Sequence, residues 1–165
     1  MALQEIASCF EGSPPSPQPR SFRVAVYVHR AIVDPSPAPK DIQAALTEAQ
    51  ADGKLVLLDF GANWCLDCIV LSHLFEDKTV RPFLNDNFHV VSIDVGNWDR
   101  NLDVSQKYGS PIDNGIPAVV ILAAPGDVIA STKNGALADA RTATAGDVLA
   151  YLKAWVAQKP TPAAR

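Results

Sequence analysis

Leu55-Val56-Leu57-Leu58-Asp59-Phe60 is an almost unbroken apolar run, opened by Gly53-Lys54 and closed by Gly61. Continuous rather than alternating hydrophobicity over so few residues marks a strand covered on both faces, as in the middle of a parallel sheet. Such a strand needs a layer of other elements on each side, which points to an α/β domain. The chain can supply those layers once. Its 165 residues, 48% of them hydrophobic, suffice for one core and fall short of two sizeable ones.

The flanking segments fill in that plan. Ile42, Ala45, Leu46 and Ala49 recur at helical spacing behind Asp41 as N-cap, with Gly53 closing the helix. Another helix is expected from Cys65 through Leu74, a short one over 80–85, a strand over 88–94, a helix over 102–108 and a core strand over 118–123. Pro125-Gly126-Asp127 is a turn signal that folds residues 128–132 back as an antiparallel hairpin. Val148, Leu149, Leu152, Trp155 and Val156 then share one face of a last helix capped by Thr144. The order is βαβ followed by ββα: a mixed central sheet with helices on both faces. Residues 1–40 read differently, because seven of the thirteen prolines crowd there and favour extended, solvated chain. Alternation over 22–28 gives that tail one possible edge strand. The folded domain is expected over 41–158, with 159–165 as a C-terminal tail.

Charge and length exclude several functions. A net charge of −4 and no basic cluster leave nothing to attract a phosphate backbone, so nucleic acid is not an expected partner. The longest apolar stretch, 116–125, is far shorter than the roughly 20 residues that span a bilayer. Met1 to Phe10 carry neither a positive nor an apolar leader region, so the chain as given is expected in the cytoplasm and as a monomer. Ile6-Ala7-Ser8-Cys9 is similar to a lipoprotein cleavage box, which makes an extracytoplasmic, lipid-anchored location the alternative.

Three cysteines cannot form a disulfide framework, and the close pair is Cys65-Leu66-Asp67-Cys68 at the expected helix start. Two intervening residues let one helical turn bring the sulfurs within bonding distance. At the helix N-terminus, unpaired N–H groups and the helix dipole favour Cys65 as thiolate. Cys65 is then the exposed nucleophile that attacks a disulfide, and Cys68 the shielded residue that resolves the mixed disulfide.

Asp59-Phe60-Gly61-Ala62-Asn63-Trp64-Cys65-Leu66-Asp67-Cys68, with Tyr108-Gly109 and Gly115-Ile116-Pro117 further on, resembles the active-site segments of the thioredoxin family over roughly 41–158. The resemblance implies a thioredoxin-like fold and a protein disulfide oxidoreductase with no cofactor beyond its redox-active disulfide. It implies protein or small-molecule disulfides as substrates and an upstream thiol reductant as partner. Asp59 would be the buried carboxylate that takes the Cys68 proton, its pKa raised by desolvation. Trp64 would flank the reactive sulfur on the substrate surface. Ile116 would offer its backbone to an extended substrate, and Pro117, after a cis bond, would hold that backbone open and keep metals out.

The departures concern Leu66-Asp67 in place of Gly-Pro, Val90 in place of the Lys that faces the buried Asp, and extra residues between 94 and 117. The lengthened loops more closely resemble bacterial proteins related to thiol:disulfide interchange proteins than thioredoxin itself. An acid inside the motif opposes the thiolate, and no His or Lys lies between the cysteines, so a reductase is expected rather than an oxidase. Two rivals remain. His73 with the cysteines would suit a soft-metal or copper chaperone, though five residues along a helix turn it away from Cys68 and no metal site is expected. A redox-inactive binding module is disfavoured by the presence of both cysteines.

Overall fold

The computed structural model describes residues 38–160. The alternating segment 22–28 and Cys9 lie outside them. Helix α1 (Ala38–Asp52) buries Ile42, Ala45, Leu46 and Ala49, the face expected from their spacing. It begins at Ala38, a turn before the expected cap at Asp41, and so takes in the end of the segment assigned to the tail. Pro39 is tolerated there because the N–H it lacks has no intrahelical acceptor in the first turn. Asp41 instead places its charge at the positive end of the helix dipole. Gly53, at φ +76°, ends the helix, its N–H donating to Ala49 O at 2.8 Å.

Strand β1 (Leu55–Gly61) is buried along its whole length. It pairs in parallel with β2 (Phe88–Asp94) and antiparallel with β3 (Ala118–Ala123), which forms a hairpin with β4 (Asp127–Ser131). The sheet order is β2-β1-β3-β4. The two unbroken apolar runs are therefore the central strands, and the edge strands are partly solvated. Helix α2 (Leu66–Phe75) follows β1, α3 (Arg81–Asn87) precedes β2, α4 (Leu102–Lys107) follows it, and α5 (Ala145–Ala157) ends the domain. Two 3-10 turns, Pro111–Asn114 and Ala140–Thr142, were not expected. The peptide bonds Ile116–Pro117 and Ala124–Pro125 are cis.

Successive β1 side chains point to opposite faces, and this divides the core in two. Val56, Leu58 and Phe60 pack with Ile42, Leu46, Val104, Tyr108 and both cysteines of the motif. Leu55 and Leu57 pack with Leu71, Phe75, Val80, Leu84, Val148, Leu152 and Trp155. Each buried Val, Leu, Ile or Phe among them stabilises the fold by about 1.5–3 kcal/mol relative to leaving it in water. The last helix is fixed at its start by a capping box: Thr144 Oγ1 accepts from Asp147 N–H, and Asp147 accepts from Thr144 N–H.

Candidate active site

β1 hands the chain to α2 through a tight turn in which Cys65 N–H donates to Ala62 O at 3.1 Å. Cys65 keeps an extended backbone and is the N-cap of α2; its sulfur accepts the Cys68 N–H at 3.2 Å. Sulfur thus takes the place that a Ser or Asp oxygen usually fills at a helix start. Cys65 and Cys68 are joined as a disulfide, with Cα atoms 5.3 Å apart. The residue exposures are equal, 6% each, and do not show the expected contrast between an open Cys65 and a shielded Cys68. The Ile116 loop approaches Cys65 closely: its carbonyl oxygen is 3.6 Å from Cys65 Sγ. What distinguishes the sulfurs is bonding, since Cys65 Sγ is the one that receives a helix N–H.

Asp59 is buried on β1, and desolvation raises its pKa from 3.8 to about 7. It stands opposite Ser92 of β2 and Val119 of β3. Ser92 Oγ is buried without a hydrogen-bond partner, and Val90, where a lysine was looked for, lies two residues earlier on the strand, half-buried among apolar side chains. Trp64 is 52% exposed, and its Nε1 donates to Gly96 O at 2.8 Å. Ile116 and Pro117 are both buried. The structure therefore gathers Cys65, Cys68, Trp64 and Ile116 at one place, with Asp59 on the strand that leads into it.

Two further residues, neither assigned to the site from the sequence, lie beside it. Trp98, in the lengthened connection after β2, is 45% exposed and lies beside Trp64, with ring centroids 6.1 Å apart. Arg141, in the 3-10 turn before α5, donates its backbone N–H and its Nε to Asp67 Oδ1, both at 3.0 Å. Asp67 is therefore not the unaccompanied carboxylate assumed from the sequence. Its partner is 74 residues away, beyond the reach of any local pattern; the available signal was an acid within the motif that needed a cation. His73 is exposed on α2. Among the described residues no group of three or more His, Cys, Asp or Glu side chains is placed to hold a metal, and no helix is long and apolar enough to cross a membrane.

A family model described as Thioredoxin-like matches residues 38–124, just over half of the chain and a span that includes both active-site segments. A disulphide isomerase from Xylella fastidiosa Temecula1 is 39% identical, with a TM-score of 0.70 over 78% of this chain and 94% of that one. The thiol:disulfide interchange protein DsbD 1 of Pseudomonas aeruginosa is 45% identical over 47 residues, 28% of this chain. That stretch spans only 8% of the interchange protein's length. A DsbH oxidoreductase, 19% identical with a TM-score of 0.51 over 68% of this chain and 79% of its own, shares the fold. The match to the family model and the near full-length likeness to the isomerase agree with the oxidised pair at the start of α2: the chain belongs to the thioredoxin-like family, and within it is a disulfide oxidoreductase.

Proposed function

We propose that the protein reduces disulfides through a mixed disulfide at Cys65, taking electrons from a dithiol reductant. The observation that carries this reading is the Cys68 N–H donated to Cys65 Sγ at the start of α2. In the reduced protein the same donor, together with the helix dipole, favours Cys65 as thiolate. The thiolate attacks one sulfur of the substrate disulfide; a Cys65–substrate bond forms and the other substrate sulfur leaves as thiolate. Cys68, its proton passed to Asp59, attacks Cys65 Sγ and releases the second substrate thiol. The protein is left with the Cys65–Cys68 bond, which two electrons from the reductant reopen. A carboxyl with a pKa of about 7 is suited to take and return that proton near neutral pH.

Polypeptide and small-molecule disulfides both suit the attack. The exposed Trp64 and Trp98 favour polypeptides, and the Ile116 backbone would pair with an extended segment. The direction rests on the absence of His and Lys between the cysteines, since Arg141 offsets much of the opposition that Asp67 alone would give. A second reading, disulfide isomerisation, is favoured by the 39% identical isomerase and starts from the same reduced dithiol. Cys68→Ser should trap a substrate on Cys65, visible by mass spectrometry, and Cys65→Ser should abolish insulin reduction. Trapping on residue 68 in the Cys65→Ser protein, with activity retained, would overturn the assignment. Reactivation of scrambled ribonuclease faster than insulin reduction would favour the isomerase.

A further inference from the structure

Asp67 occupies the first turn of α2, between the two cysteines, and its side chain is 13% exposed. Arg141, 59% exposed, reaches it from the Ala140–Thr142 turn. That turn is anchored, because Ala140 and nearby Leu137 are buried in the core formed with α2 and α5. Two donors from one residue on one carboxylate oxygen, the backbone N–H and the guanidinium Nε, fix Arg141 in a single arrangement. With one partner largely withdrawn from solvent, the pair is less screened than an ion pair between two exposed side chains.

We propose that Arg141 is a positioning residue of the redox site: it cancels the negative charge that Asp67 places beside Cys65 and holds the first turn of α2 in place. The proposal rests on the reading of Cys65 as the attacking thiolate. A carboxylate in that turn raises the energy of a thiolate at the N-cap, and a guanidinium bound to the carboxylate lowers it again. The two hydrogen bonds also fix the residue directly before Cys68, whose N–H the Cys65 sulfur accepts. A connection far along the chain thereby sets the reactivity of the dithiol without touching sulfur.

Asp67→Asn keeps an oxygen to accept both bonds but removes the charge, leaving the Arg141 cation uncompensated. Arg141→Gln does the reverse. The Cys65 thiolate titration, followed by absorbance near 240 nm in the reduced full chain, should move in opposite directions. Asp67→Asn should raise the acid dissociation constant about fivefold and Arg141→Gln lower it by a similar factor, the scale of one partly screened charge. The glutathione equilibrium measured at pH 8 should follow, toward the reduced form in Asp67→Asn and toward the disulfide in Arg141→Gln; fivefold is about 20 mV on a two-electron couple. The double variant should return close to the parent, and Arg141→Lys should retain most of the parent titration. Variants that lower the melting temperature while leaving titration and equilibrium unchanged would overturn the proposal, as would singles that move the same way. A Cys65→Ser protein that still reduces insulin would instead overturn the underlying assignment of the nucleophile.

Discussion

Of the connections that reach the dithiol, two bond to the residue just before a cysteine. The β2–α4 connection, residues 95–101, accepts the Trp64 Nε1–H at Gly96 O; the β4–α5 connection, residues 132–144, donates from Arg141 to Asp67. They are held in different ways. The first closes on Asp94, whose carboxylate accepts from Gly96 N–H and from Arg100 Nη1 while its carbonyl accepts from Asn101 Nδ2. The second, besides hydrogen bonds such as that from Val119 N–H to Thr132 Oγ1, buries Leu137 and Ala140 in the core beside α2 and α5. A loop fastened by its own hydrogen bonds can leave apolar side chains in solvent, and this one presents Trp98. A loop with two side chains set in the core beside α2 can hold a third residue against that helix, and this one holds Arg141 on the turn between the cysteines. The first connection thus shapes what the dithiol meets, and the second what the dithiol is.

Asp59 belongs to neither connection, so its replacement should give the largest effect with a signature of its own. Between pH 3.8 and about 7 the unfolded chain has lost this proton while the folded protein still holds it. The folded state then binds more protons, and stability falls as pH rises through that window, levelling off above it. The accumulated penalty is about 4 kcal/mol. Asp59→Asn removes it, so the oxidised variant should gain on the parent by that order between denaturant melts at pH 4 and pH 8. Its turnover should drop roughly a hundredfold for want of the proton acceptor. An equal stability difference at the two pH values would show that this carboxyl is not raised in the folded protein.

Gly96→Ala should have the next largest effect and should confine it to the first connection. Gly96 sits at φ +58°, and a Cβ there would collide with Asp99 Oδ1 and lie 2.9 Å from Arg100 Cγ. The backbone strain and the displaced side chains should together cost about 2 kcal/mol. Trp64 fluorescence should change as its acceptor moves, while the Cys65 titration should not. A shifted titration with unchanged fluorescence would mean that the two connections do not divide the work as described.

The parts of the molecule that depend on local periodicity were legible in the sequence. Leu55–Gly61 and Ala118–Ala123 announced themselves as central strands because burial on both faces leaves them apolar throughout but for Asp59. The Thr144 cap was legible because capping residues sit within one turn of what they cap. The start of α1 was missed because Pro39 reads equally as tail or first turn, and only packing, which buries Ala38, decides. The site was half legible: Cys65, Cys68 and Asp59 lie in one short segment, whereas Gly96 and Arg141 approach it from 32 and 74 residues away. Neither 3-10 turn had a repeat long enough to mark it. The charge on Asp67 was assigned the wrong surroundings for the same reason, since its cation is a product of the fold.

The smallest expected effect is the one that best separates the two connections, and it comes from Trp98. Its backbone lies at φ +66°, a region unfavourable for a bulky residue, so the loop holds it there against its own preference. The ring is tilted 57° to that of Trp64, an arrangement that stabilises aromatic pairs by about 0.5–1.5 kcal/mol. With Leu66, 62% exposed, the two rings offer an apolar margin beside Cys65. A polypeptide disulfide with apolar flanking residues would bury part of that margin, whereas a small disulfide would reach the sulfur without it. Trp98→Ala should therefore raise KM for insulin about threefold to tenfold, the scale of one such contact, and leave the rate with glutathione disulfide and the Cys65 titration unchanged. Trp98→Gly supplies the control, because glycine accepts this backbone without strain and should melt no lower than the alanine variant. If the loss on insulin comes from the missing ring, both variants will show it alike; recovery of KM by glycine alone would trace the loss to loop strain and leave Trp98 without a part in binding.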